Sequence, residues 1–153
     1  MAENRISRLM KKDHHRLLNE LKELESLHDR DIAVINEAFR NFKWNIEKHF
    51  FVEERAIFTS YNPKKINEGY NLFKDLTDQH TEILEQIEKI QQKLQKFEPF
   101  DYDDLKKILV DHKNIEEEKI YPALDEEINE GEKRFIIERM KDIKIHENAK
   151  SNE

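Results

Sequence analysis

Apolar residues recur along this chain at spacings of three and four, the period of one face of an α-helix. A first run over about 4–27 carries Ile6, Met10, His14, Leu17, Leu21 and Leu24 on one stripe. A second, over about 30–59, carries Ile32, Ile35, Phe39, Phe42, Ile46, His49, Glu53 and Ala56. At the usual rise per residue it is roughly 40 Å long. Tyr61-Asn62-Pro63 then predicts a turn, because proline disfavours helix in the residue before it. A third run over about 64–96 places Phe73, Leu76, His80, Ile83, Ile87, Ile90, Leu94 and Phe97 in phase. Glu98-Pro99-Phe100-Asp101 breaks it, and Asp101 or Asp103 is the candidate cap for the next helix. The fourth run starts near Tyr102 with Leu105, Ile108, Leu109, His112, Glu116 and Ile120, and Pro122 kinks or ends it. Gly131 marks a further break, and a shorter segment over about 132–145 presents Phe135, Ile136, Met140 and Ile143.

Four long amphipathic helices with short links predict an all-α, up-down-up-down four-helix bundle with a short additional C-terminal helix. One domain over 1–147 with a flexible tail at 148–153 is the expected organisation. Two glycines, three prolines and 40% charged residues agree with long helices and few tight turns. The net charge of -7 offers no basic face for phosphates, so nucleic acid is not the expected partner. No cysteine is present, which removes disulfides, thiolate metal sites and iron–sulfur clusters. The longest apolar runs are too short to span a membrane, and Met1-Ala2-Glu3-Asn4-Arg5 does not read as a signal peptide. A cytoplasmic protein with no membrane association is expected.

The stripes are interrupted by the same polar pattern twice. His49-Phe50-Phe51-Val52-Glu53-Glu54 leads into Ile57-Phe58, and His112-Lys113-Asn114-Ile115-Glu116-Glu117 leads into Ile120-Tyr121. A histidine four residues before a glutamate stacks both side chains on one helix face. Each copy follows a further inward histidine at a similar distance, His14 in one case and His80 in the other. Antiparallel neighbours bring all four histidines toward one level. Two carboxylates in a core cost several kcal/mol unless paired or metal-bound. No lysine or arginine shares the inward phase near Glu53 or Glu116. Imidazole and bridging carboxylate suit a two-metal site, with metal ligands His14, His49, Glu53, His80, His112 and Glu116. Without metal, the two carboxylates are expected to face each other and share a proton.

A lone histidine is more often a hydrogen-bonded core or boundary residue than a ligand, and His15, His28 and His146 take that reading. Glu54, Glu117 and Glu118 read as solvated surface charge, and Phe39, Phe42, Phe73 and Phe97 as packing that keeps the site dry.

With Asp13-His14, Gln79-His80, the two His-x-x-x-Glu segments and the trailing Ile120-Tyr121-Pro122 in order, the chain resembles the hemerythrin-like histidine–glutamate cation-binding family. The resemblance covers about 6–124. It implies a non-haem di-iron centre of two iron ions with an oxo or hydroxo bridge. It also implies that His14 and His49 serve one iron, His80 and His112 the other, and that Glu53 and Glu116 bridge them. Oxygen carriers of the family have a fifth histidine one turn after the third-helix histidine, where this chain has Leu84. They place the second bridging carboxylate five residues after the last histidine, where this chain has Glu117, so Glu116 and Glu117 both stand as candidates.

Three functions are then open. One is a di-iron protein that binds or senses oxygen, nitric oxide or iron, with a protein partner if it is a sensor. Another is a di-iron enzyme acting on nitric oxide or peroxide, for which Tyr121 or Tyr61 is the candidate proton donor. The last is a metal-free helical interaction module, which the buried carboxylates disfavour.

Overall fold

The computed structural model describes residues 5–58 and 69–151, with side chains over 6–58 and 73–141. It is helical, with no strand among the described residues. Helix α1 spans Arg5–Ser26 and α2 spans Ile32–Val52, which passes without a break into a π-helical turn, Glu53–Phe58. Helix α3 is Gly69–Gln95 and α4 is Asp103–Ile115. A second π turn, Glu116–Ile120, joins α4 to α5, Tyr121–Glu127, and α6 is Glu130–Ser151. The predicted turn at Tyr61-Asn62-Pro63 and the predicted helix start at Lys64 lie outside the described residues.

Neighbours pack in sequence, α1 on α2, α2 on α3 and α3 on α4, while α1 also meets α4 and α5, which closes the bundle. The predicted bundle is therefore present. Helix α6 lies against α1, α2 and the first π turn. At 22 residues it is as long as α1 rather than short. The stretch expected as a tail falls partly on its end and partly, at 152–153, outside the described residues.

Two apolar clusters fill the interior. One joins Leu17, Leu21, Phe39, Phe42, Ile46, Ile83, Ile87 and Leu105. The other joins Ile6, Met10, Ala56, Ile57, Leu76, Tyr121, Leu124, Ile136, Ile137 and Met140. Helices α1, α2 and α3, and α4 with its π turn, contribute to both, so the polar layer between the clusters draws on each of these four.

Several local expectations are corrected. Phe97 is 78% exposed, not packed, because α3 ends at Gln95 and Phe97 turns the chain at φ 58°. Ile32, at the first residue of α2, is also exposed. Phe135 is 58% exposed, and the inward face of α6 is Lys133, Ile136, Ile137 and Met140. The last break is set by Asn129 rather than Gly131. Asn129 accepts from the Glu132 backbone N–H at 2.8 Å and donates to Glu132 Oε1 at 2.9 Å, a reciprocal cap for α6. The N-cap position of α4 falls on Tyr102, and Asp101, one residue outside it, accepts from the Asp103 N–H at 3.0 Å. Asp125 reaches the Ser7 backbone N–H in the first turn of α1 at 3.3 Å and lies 4.0 Å from the buried Lys133, tying α1, α5 and α6 together.

Candidate metal centre

The layer between the clusters holds all six residues singled out by the stripes. His14 follows Met10 and precedes Leu17, and His80 lies between Leu76 and Ile83, so each sits where one cluster gives way to the other. His14, His49, His80 and His112 are buried, and Glu53 and Glu116 are 0% exposed. Ligand-capable atoms of His14, His49, Glu53 and Glu116 lie within 4.8 Å of one another, as do those of Glu53, His80, His112 and Glu116. Two histidine pairs thus share two glutamates. His15, His28 and Glu118 are exposed, whereas His146 lies beyond the described side chains.

All four Nε2 atoms face the interior. His49 Nε2 is 2.8 Å from Glu53 Oε1, and His14 Nε2 is 3.0 Å from Glu116 Oε1. His112 Nε2 is 3.2 Å from the same Glu116 oxygen, and 3.1 Å from His80 Nε2. Glu53 Oε1 lies 3.6 Å from His80 Nε2 and 4.0 Å from His112 Nε2, so one oxygen stands between the two pairs.

The four Nδ1 atoms face outward, and each meets an oxygen. His49 Nδ1 lies 2.5 Å from Asp13 Oδ2 and His112 Nδ1 lies 2.8 Å from Gln79 Oε1. His14 Nδ1 lies 2.8 Å from Glu117 Oε2 and His80 Nδ1 lies 3.2 Å from Glu54 Oε1. The residue before one histidine of each pair holds the other, and the residue after each shared glutamate holds a histidine across the bundle. An acceptor on Nδ1 fixes the tautomer with its lone pair on Nε2. Glu54 and Glu117 are therefore not the free surface charges their sequence positions suggested. Glu117 is on the outer side of His14 while Glu116 is in the shared layer, which separates the two candidates by place. Asp13 and Gln79 also stood in the sequence, each next to an inward histidine; the signal was adjacency to a core polar residue.

The same repeat sets the backbone. Both π turns begin at the glutamate of the motif, Glu53 in one and Glu116 in the other. In the second, the Tyr121 N–H bonds to the Glu116 carbonyl five residues back. Pro122 follows at once, and its missing N–H would break an α ladder there in any case. In an uninterrupted α-helix Tyr121, nine residues after His112, would point about 180° away from it. The wider turn takes up one extra residue and brings Tyr121 inside. It is fully buried, and its hydroxyl donates to Glu53 Oε2 at 3.1 Å. Tyr61 lies outside the described residues. Phe58, at the matching place in the first copy, stacks on Phe73 with ring centroids 4.8 Å apart. Phe50, which no polar pattern marks in the sequence, stacks on His80 at 3.9 Å and meets His112 edge-on at 5.7 Å.

The electrostatics show what this layer lacks. With each Nδ1 donating outward, His80 and His112 turn two lone pairs toward each other at 3.1 Å. His49 Nε2, Glu53 Oε1 and Glu116 Oε2 are buried without a hydrogen-bond partner; the close His49–Glu53 contact is not aligned for one. Orphaned buried acceptors are costly, and protons or a cation must sit among them. A metal ion bound by imidazole and carboxylate fits this donor set. In the metal-free chain protons take its place. Burial pushes His49 down, but the Glu53 charge and the Asp13 and Glu53 contacts outweigh it and raise it to about 9. Burial pushes Glu53 up, yet His49, His112 and His80 hold it well below the usual carboxylate range. Glu53 is thus held toward its ionised form by the histidines around it. Burial lowers His14 and His112.

A family model for the hemerythrin HHE cation binding domain matches residues 5–144. The chain belongs to the hemerythrin HHE cation-binding family. Neither curated proteins nor solved structures return a match. Its buried histidine and glutamate groups fit a metal site, and no described helix is long and apolar enough to cross a membrane.

Proposed function

We propose that this chain is a non-haem di-iron protein that binds or senses a small molecule, oxygen or nitric oxide, or iron itself. The observation that carries this reading is the overlap of two four-residue groups on the same pair of buried glutamates. His14 and His49 would hold one iron, His80 and His112 the other, and Glu53 and Glu116 would span both. Iron so held supplies a reversible one-electron change and an open position for a ligand. The protein's own part is to fix four imidazoles by their outer nitrogens and to give the layer an apolar approach through Phe50, Leu17 and Leu109.

A narrow cavity lined by Leu17, Leu18, Phe50, Leu109 and Lys113 reaches His14, His49 and His112. The cavity is about 10 Å³, close to the smallest space that holds one water, and its mouth is lined mainly by apolar side chains. A second reading, a di-iron enzyme acting on nitric oxide or peroxide, is favoured by one observation. The buried Tyr121 hydroxyl holds a proton on Glu53 Oε2, where a general acid would stand. As a sensor, the domain would pass its state to a protein partner.

Anaerobic titration of metal-stripped protein with ferrous iron tests the proposal. Two equivalents should bind, and the optical spectrum should then change on adding oxygen, nitric oxide or peroxide in turn. A trace of bound metal, or none, would end the di-iron reading. Catalytic turnover of nitric oxide or peroxide would favour the enzyme over the sensor.

A further inference from the structure

The outer Nδ1 contacts of the two halves pair one for one and differ in chemical kind at one place. On the His49 side the outer acceptor is a carboxylate, Asp13; at the matching position on His112 it is a neutral amide, Gln79. The remaining acceptors are both carboxylates, but the Glu117 side chain is 19% exposed and the Glu54 side chain 40%. Solvent screens the more exposed charge. The His14/His49 pair therefore faces two sheltered carboxylates, and the His80/His112 pair faces one half-exposed carboxylate and one amide. Arg16 lies 2.7 Å from Asp13 Oδ1, the oxygen not used by His49, and it is itself 44% exposed. Lys113 approaches Glu117 only to 3.9 Å. Both cations moderate the difference without reversing it.

A carboxylate accepting the Nδ1 hydrogen pushes electron density toward Nε2 and makes the imidazole a stronger ligand than an amide does; outer partners of this kind change metal affinity about 10–100-fold. We infer that the two metal positions are unequal and that Gln79 makes them so: the His14/His49 position fills first and holds its metal, while the His80/His112 position exchanges. Gln79 is a positioning residue, acting through His112. The inference rests on the two-metal reading above.

Native mass spectrometry of the anaerobic ferrous titration separates the two. In the wild type a one-iron species should accumulate well above the statistical share at half-saturation. Gln79→Glu should strengthen the second binding step about tenfold and shrink that species. Asp13→Asn should weaken the first step and shrink it from the other direction, so the test survives if either variant fails to fold. His112→Ala should keep one tightly held iron, whereas His14→Ala should leave only a weak one. If both irons bind in wild type with no excess of the one-iron form, or if the folded Gln79 and Asp13 variants leave its share unchanged, the inference is overturned while the di-iron reading stands. If no iron binds at all, the failure belongs to the proposed function.

Discussion

Tyr121 donates a hydrogen bond to Glu53 Oε2 across the bundle, linking the end of one His-x-x-x-Glu repeat to the glutamate of the other. Its counterpart, Phe58, has no hydroxyl, so the repeat is tied together from one side only. Burial, followed by the charge of Glu53, pushes the phenol well above its ordinary value, and it remains a donor throughout the physiological range. Tyr121→Phe should leave Glu53 Oε2 buried without a partner and cost about 1–3 kcal/mol, read by urea unfolding of the metal-free protein. Metal binding should survive, because no ligand is lost. If Tyr121 is the proton donor of an enzyme, the variant should also slow reaction with peroxide. A stability within error of wild type would show that the hydrogen bond is not made.

Neighbouring residues on the same helix should separate cleanly. His14→Ala should lose the tightly held metal, whereas His15→Ala, on the exposed face, should stay within about 0.5 kcal/mol of wild type and keep it. Glu116→Gln should lose metal or bind it far more weakly. Glu117→Gln keeps the layer intact and should cost about 10–100-fold in affinity by loosening His14. Metal analysis of the four purified variants decides this. Equal loss within either pair would mean that the helix phase is misread.

Helix phase explains what the sequence made legible and what it did not. The stripes place His14, His49, Glu53, His80, His112 and Glu116 inside because the period holds up to each motif glutamate. Beyond Glu53 and Glu116 a π turn takes up an extra residue, so a count at the α period turns Tyr121 outward. Asp13, Gln79, Glu54 and Glu117 lie one residue off the stripe, where a polar residue reads as solvent-facing. Only the fold reveals that each reaches the outer nitrogen of a histidine on another helix. Phe97 failed for a different reason: it kept the period after the helix had ended.

Leu84 follows His80 by one turn and packs with the apolar cluster of Leu17, Phe39 and Ile83. It stands where oxygen carriers of the family have a further histidine. The iron at His80 and His112 would therefore have fewer protein ligands than theirs. The reduced, iron-loaded protein should oxidise irreversibly in air, and Leu84→His should make the change more reversible if the ring fits. Optical spectra through repeated oxygen and argon cycles measure this. A wild type that returns fully to its reduced spectrum each cycle would place the chain with reversible oxygen binders.

The metal-free protein should carry its charge balance in its pH dependence. His49 is raised from 6.5 to about 9, so its stabilisation is complete below pH 6.5 and is lost as pH rises toward 9. His14 and His112 are lowered from 6.5, so they bind fewer protons folded than unfolded, and stability rises with pH until 6.5 is passed. Glu53 is lowered from 4.5 and supports the fold above that value, failing only in stronger acid. The three effects together set a maximum near pH 6.5 with a decline toward pH 9. Metal takes the place of the His49 proton. Loaded protein should therefore lack the alkaline decline, and metal uptake at neutral pH should release a proton. Urea midpoints of chelator-stripped and loaded protein across this range test the first part. Calorimetry in two buffers of different ionisation enthalpy tests the second. A stripped protein that stays equally stable from pH 6.5 to 9, with no proton released on loading, would mean that His49 is neutral before the metal arrives.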